Sequence, residues 1–290
     1  MEDYLLGLYE KSMPGDLTLE QKLVEAGKAG FDYMELSIDE TDDRLARLEW
    51  SNDEIQKLLA AEYETGIPIK SICLSGHRRF PLGHPDPDVQ QKSLAIMQNA
   101  ITLSAKLGVR IIQIAGYDIY YGETSKQTQE NFARNLKISA KMAARQGVIL
   151  AFETMETEFI NTVKKAMYWV EKVQSPYLQV YPDIGNLTNS AVKYGSDVLE
   201  DLCSGRGHLA ALHLKETLPG VFREVPYGTG HVNFSAAAAQ AFKLGISMFV
   251  GEFWYTGEEN WRQILKDNNV FLRDALHDGY AASLEVKVYV

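Results

Sequence analysis

The sequence is poor in cysteine. It has two, Cys73 and Cys203, in 290 residues, and neither belongs to a CxxC pair. No cysteine set is present for a closed structural zinc site. Cys73 lies in an apolar run and reads as a reduced core residue. Basic residues are also in deficit: Lys and Arg total 29 against 39 Asp and Glu, a net charge of −10. Nucleic acid and anionic membrane surfaces are therefore excluded as main partners. A phosphorylated small molecule is not, because it needs only a local basic pocket. No run approaches the ~18 apolar residues of a membrane span. The opening MEDYLLGLYEKSMPGD lacks the basic and long apolar regions of a secretion leader. The expectation is a cytoplasmic protein. There is no GxGxxG turn after the first strand and no short internal repeat.

What the chain does have is regular alternation. Short apolar runs predict strands at residues 4–8, 31–37, 67–74, 109–114, 148–152, 178–182, 209–212 and 248–251. Between them, periodic apolar spacing and capping residues predict helices. Thr18 precedes one that Gly30 closes, and Ser51 caps another with Asp53 and Glu54 in its first turn. Further helices are expected over residues 89–107, 124–146, 161–173, 196–203, 235–244 and 258–277. Eight strands alternating with helices, without a linker-like shift in composition, predict an α/β fold: a single-domain (β/α)8 TIM barrel over residues 1–280. A doubly wound open sheet is the alternative, weakened by the strand count and the missing glycine turn. The tail, residues 281–290, alternates apolar and polar residues and fits either an added edge strand or a disordered end.

A barrel gives the strand ends a functional meaning, since all eight C-terminal ends share one rim, where such barrels hold their active sites. The last four runs each end in a polar residue: Glu153, Asp183, His213 and Glu252. Any one alone is commonly a helix cap or a solvated loop residue. Four at successive strand exits form a candidate metal set, hard and mostly oxygen, suited to one Zn²⁺, Mn²⁺, Co²⁺ or Mg²⁺ ion. Bound there, such an ion supplies Lewis-acid stabilisation of an enediolate. One glutamate removes the proton α to a sugar carbonyl, and the other returns one to the opposite face. Hydrolysis by an activated water is the competing use of the same ligands.

Longer blocks carry a resemblance. They are GLYEK at residues 7–11, ELSIDE at 35–40 with RLARL at 44–48, SGHRRFP at 75–81, QIAGYD at 113–118, DIGNL at 183–187, HLKET at 213–217 and FREVPYG at 222–228. Together they resemble the L-ribulose-5-phosphate (L-xylulose-5-phosphate) 3-epimerases of L-ascorbate utilisation. More distantly, they are similar to the ketose 3-epimerases and the xylose-isomerase-like barrels. The resemblance runs to about Leu276 and omits the tail. It implies a divalent metal on Glu153, Asp183, His213 and Glu252, with Glu153 and Glu252 as the acid/base pair. It implies substrate contacts from Asn186, where the ketose branch has a histidine, and from Arg223. It also implies a homodimer. Glu156 and Glu158 lie near a substrate-binding glutamate of the ketose branch, but their spacing differs and neither is carried over.

A phosphate needs its own groups. Ser75, Gly76, His77, Arg78 and Arg79 follow strand three and offer backbone N–H groups, a hydroxyl and basic side chains, an anion cradle in expectation and otherwise a solvated loop. Lys11 and Lys215 are further rim cations. Tyr117, Tyr120, Tyr121, Trp254 and Tyr255 either wall a pocket or pack the rim. The expected activity is epimerisation at C3 of a ketopentose 5-phosphate. A free-ketose epimerase or a sugar isomerase on the same barrel is the alternative. An endonuclease IV-like nuclease needs more histidines and a basic face, and a barrel without catalysis has no support while all four ligands are present.

Overall fold

The computed structural model describes residues 4–284. Eight parallel strands form one sheet: β1 (Leu5–Tyr9), β2 (Tyr33–Ile38), β3 (Ile69–Leu74), β4 (Ile111–Ala115), β5 (Ile149–Glu153), β6 (Leu178–Tyr181), β7 (Leu212–Leu214) and β8 (Met248–Gly251). Ladders join the strands in the order β6-β5-β4-β3-β2-β1-β8-β7, with a register shift at Met34/Glu35 between β2 and β3. The remaining seam, β6 to β7, is joined only by isolated parallel bridges, Val180 to Leu209 and Asp183 to His213. These close the (β/α)8 barrel.

The helices pack outside it. They are α1 (Leu19–Lys28), α2 (Asp42–Ala46), α3 (Asn52–Thr65), α4 (Pro87–Leu107), α5 (Lys126–Gln146), α6 (Val163–Val173), α7 (Ile184–Tyr194), α8 (Val198–Ser204), α9 (Phe234–Lys243) and α10 (Trp261–Leu284). Local chemistry sets their ends. Thr18 with Gln21, Ser51 with Glu54 and Ser125 with Thr128 form reciprocal capping boxes. Left-handed glycines at 66, 108 and 147 stop α3, α4 and α5.

Two helices were not expected. The short α2 follows β2, and α7 follows β6 directly. α7 is rich in weak helix formers, Gly185, Asn186, Thr188, Asn189 and Ser190, so its propensity is low. It forms because Asp183 caps it and Ile184 and Leu187 bury against the barrel. α10 runs past its expected end, so residues 281–284 of the tail are helical, and residues 285–290 lie outside the described residues.

The core has two parts. A small cluster, including Tyr9, Tyr33, Cys73, Tyr181 and Val250, is separate from the large one that packs strands against helices. Gly7 in β1 makes room for it: a Cβ there would strike the Tyr33 ring, whose hydroxyl donates to the Phe249 carbonyl at 2.9 Å.

One buried charge cluster braces the start of the barrel. Glu10, just past β1, is fully buried. It pairs with Lys22 of α1 at 3.2 Å, with Arg44 of α2, and with Arg47 at 2.6 Å. It also accepts from the Ser37 N–H at 2.9 Å. One carboxylate thus ties α1, α2 and β2 to β1. Arg44 and Arg47 belong to the RLARL block, and their role here is structural.

Candidate metal centre and active-site rim

The expected ligands come from the last four strands, three of them at or just past a strand end and His213 within its strand. Glu153 is the last residue of β5, Asp183 follows β6, His213 is central in β7, and Glu252 follows β8. All four are buried, and one ligand atom from each lies within 4.8 Å of the others. Asp183 divides its oxygens. Oδ1 accepts from the Asn186 N–H at 2.7 Å, capping α7. Oδ2 stands 2.9 Å from Lys215 Nζ but lacks a well-directed hydrogen bond.

His213 is oriented by a residue that strand ends alone do not reveal. Its Nε2 lies 2.7 Å from Glu35 Oε1. Glu35 is fully buried in β2, and its other oxygen accepts from Ser71 Oγ at 2.7 Å and Tyr181 OH at 3.1 Å. Nδ1 faces the carboxylates, 3.1 Å from Glu252 Oε2 and 3.9 Å from both Glu153 Oε1 and Asp183 Oδ2. A carboxylate that accepts from Nε2–H turns Nδ1 towards the ligand cluster.

Electrostatics makes the cluster a poor resting place for three free carboxylates. Burial, reinforced by Glu252, pushes the Glu153 carboxyl up to about 8. Burial pushes Asp183 up to about 7 against the pull of Lys215. Burial also opposes ionisation of Glu252, but Lys215 and His213 overcome it and hold that carboxyl well below its usual range. His213 is disfavoured as a cation by burial, yet Glu35 and Glu252 raise it well above the ordinary imidazole. Protons on Glu153, Asp183 and His213 thus stand where a divalent cation would displace them. Three carboxylates, each offering a hard oxygen, and one imidazole fit such an ion.

A family model, the xylose isomerase-like TIM barrel, matches residues 23–275. The chain belongs to the xylose isomerase-like TIM barrel family. It is 45% identical over 229 residues, 79% of each chain, to L-ribulose-5-phosphate 3-epimerase UlaE of Escherichia coli (strain SMS-3-5 / SECEC). It is 43% identical over 261 residues, 88% of this chain and 90% of the relative, to the putative L-ribulose-5-phosphate 3-epimerase SgbU of Escherichia coli (strain K12). Among solved structures, an L-ribulose 3-epimerase superposes with a TM-score of 0.76 at 17% identity, covering 99% of this chain and all of that one (100%). D-psicose 3-epimerase with D-tagatose, from Clostridium cellulolyticum H10, gives 0.77 at 19% identity, covering 94% and 99%. At these identities the structures speak for the fold.

Within this xylose isomerase-like barrel, the Glu35–His213 contact carries a direct test. Glu35→Gln is expected to weaken divalent-metal binding about 10- to 100-fold. Calorimetric titration of ion-free protein reads this, and unchanged affinity would remove Glu35 from the metal centre.

The structure divides the anion loop that follows β3. His77 turns inward: its ring is buried, 3.1 Å from the Ser93 carbonyl of α4, and burial pushes it down to about 4. It is a packing residue, which corrects the expectation of an anion contact. The Ser75 N–H donates to the Ile38 carbonyl at 2.9 Å and the Arg78 N–H to the Ser75 carbonyl at 3.0 Å, so neither is free. Arg79 is exposed and pairs with Asp42 at 2.7 Å. Gly76 packs on the β2 loop, where a Cβ would meet Leu45 at 2.8 Å. Arg78 remains, and it is half-buried. Its guanidinium covers the Tyr120 ring at 4.7 Å, its Glu40 contact is loose at 3.7 Å, and its Nε is buried without a partner. Lys11 is engaged by Asp39.

The other expected contacts lie on the same rim. Asn186 is buried, with Nδ2 donating to the Thr154 carbonyl at 2.7 Å and Oδ1 unpartnered. Arg223 is half-exposed, 3.1 Å from Glu156 and 5.8 Å over Trp254. Its loop is held by Glu216, a buried carboxylate accepting from the N–H groups of Thr217, Gly228 and Val232 at 3.1, 3.0 and 3.2 Å. A surface groove of 750 Å³ between α6 and α8 holds none of these residues.

Proposed function

We propose that this protein epimerises L-ribulose 5-phosphate and L-xylulose 5-phosphate at C3, in the cytoplasm and as a homodimer. The carrying observation is that Glu153 and Glu252 meet in one buried hard-ligand cluster, in a chain 45% identical to an L-ribulose-5-phosphate 3-epimerase. Glu153, Asp183, His213 and Glu252 would hold one divalent ion, of the class Zn²⁺, Mn²⁺, Co²⁺ or Mg²⁺. When bound, that ion supplies Lewis-acid polarisation of the ketose carbonyl.

The chain's own residues do the rest. One glutamate takes the proton from C3, and the C–H electron pair moves onto the C2 carbonyl to give an enediolate. The other glutamate delivers a proton to the opposite face of C3 as the carbonyl re-forms, inverting that centre. β5 and β8 are separated by β6 and β7 around the barrel, which supports carboxylates that reach C3 from different sides. Asp183 and Lys215 support Glu252, and Glu35 fixes His213. Arg223 and Asn186 meet sugar oxygens, and Arg78, with Ser75, Gly76 and Arg79 around it, takes the phosphate.

Proton–deuterium exchange tests the reaction class. With L-xylulose 5-phosphate in deuterated water, label is expected at C3 and lost after dialysis against chelator. Label at C1 instead would mark an aldose–ketose isomerase. The phosphate assignment has a separate test. Arg78→Met is expected to lower kcat/KM for the phosphorylated ketose about 10- to 100-fold, the worth of one charge-assisted contact, and to leave the free ketose unchanged. Equal losses on both would place the phosphate elsewhere.

A further inference from the structure

The loop after β4 is built around one tyrosine. Gly116 packs so closely on the end of β5 that a Cβ there would lie 2.5 Å from the Glu153 carbonyl oxygen. Asp118, on the other side, is fully buried. Its carboxylate accepts from the Ile119 N–H at 2.9 Å, Thr124 Oγ1 at 2.8 Å and Thr128 Oγ1 at 2.5 Å. Between these anchors stands Tyr117. It is 3% exposed, its ring packs on Tyr120 with centroids 5.1 Å apart, and its hydroxyl has no hydrogen-bond partner. A buried phenol without a partner is costly, so two anchored neighbours fixing one in place point to a ligand that supplies the partner.

Topology says which part of a ligand. β4 lies between β3 and β5 in the barrel. The β3 loop carries Arg78, whose guanidinium covers the ring of Tyr120 that packs on Tyr117, and β5 ends in Glu153, against which the preceding Gly116 is packed. In the proposed substrate the reacting C3 belongs at Glu153 and the phosphate on C5 at Arg78. The atom between C3 and C5 is C4, which bears a hydroxyl. We propose that Tyr117 is a specificity-determining residue whose hydroxyl bonds the C4 oxygen of the ketopentose phosphate and so reads the configuration at C4. This rests on the functional reading above. It gives a physical reason for preferring L-ribulose 5-phosphate to D-xylulose 5-phosphate, which differs from it only at C4. In the C4 epimer the oxygen points away and leaves the buried phenol unpaired.

Tyr117→Phe removes only the oxygen. With no native partner lost, the melting temperature is expected to hold. On L-ribulose 5-phosphate, kcat/KM should fall about tenfold, the worth of one neutral hydrogen bond. With a 4-deoxy analogue, the wild-type protein should show the same deficit, and Tyr117→Phe should add nothing to it. Wild-type kcat/KM in Tyr117→Phe overturns the proposal. So does an undiminished effect of the substitution on the 4-deoxy analogue, or a fall in melting temperature that accounts for the whole loss. If the wild-type protein does not turn over L-ribulose 5-phosphate at all, the functional reading fails and takes this proposal with it. Turnover that is indifferent to Tyr117→Phe defeats this proposal alone.

Discussion

Glu252→Gln and Glu153→Gln are each expected to cut epimerisation by about 10²- to 10⁴-fold, the range of a lost general acid or base. The two losses should differ in kind. If each glutamate serves one face of C3, a variant keeping only Glu153 still exchanges the C3 proton of one epimer with solvent and fails with the other. A variant keeping only Glu252 shows the reverse. Epimerisation fails in both, because it needs both faces. Glutamine also replaces a metal ligand, so bound metal is measured in the same samples. Loss of exchange for both epimers at full metal occupancy would remove the two-base scheme. Full exchange and epimerisation in both variants would remove the glutamates from the chemistry.

The second large effect concerns stability. Glu10→Gln leaves Lys22, Arg44 and Arg47 around a neutral amide. Breaking a buried ion cluster by removing one partner costs about 3–5 kcal/mol. Denaturant titration of wild type and variant reads this, and a difference below about 1 kcal/mol, the scale of an exposed pair, would make the cluster incidental. A pH signature accompanies it. Burial raises the Glu10 carboxyl, but Arg47, Lys22 and Arg44 overcome that and hold it at about 2, against 4.5 as the ordinary value. A depressed carboxyl stabilises the fold above its unfolded value, and that contribution disappears as pH falls from about 4.5 towards 2. The gap corresponds to about 3 kcal/mol. Wild type should lose this stability over that window, and Glu10→Gln should lack this part of the acid limb.

The barrel was legible because its elements speak locally. Apolar runs of strand length alternate with capped amphipathic helices, and Thr18, Ser51 and Gly30 stand where the structure ends or begins a helix. The four cluster residues were legible because a parallel barrel turns strand order into position on a rim. Helix α7 was not, since its formation depends on burial and on a cap by Asp183, which sequence reading assigns to the metal. Glu35 was quoted within a block but had no visible role. A carboxylate in mid-strand reads as an anomaly until the fold brings it to a histidine 178 residues away. His77 is the opposite case: as one of three consecutive basic residues it reads as part of an anion cradle, yet its ring packs under α4.

The seam between β6 and β7 gives the centre a mechanical side. Every other pair of neighbouring strands is joined by a ladder, whereas this pair is held by two isolated bridges, one of them between Asp183 and His213. A cation shared by those two side chains would act as a rivet at the loosest joint of the cylinder. Affinity for the ion and resistance to unzipping would then be one free energy read in two ways. Amide protons along β6 and β7 should exchange faster than those of β2 and β3 in ion-free protein, and the difference should narrow as the ion is added.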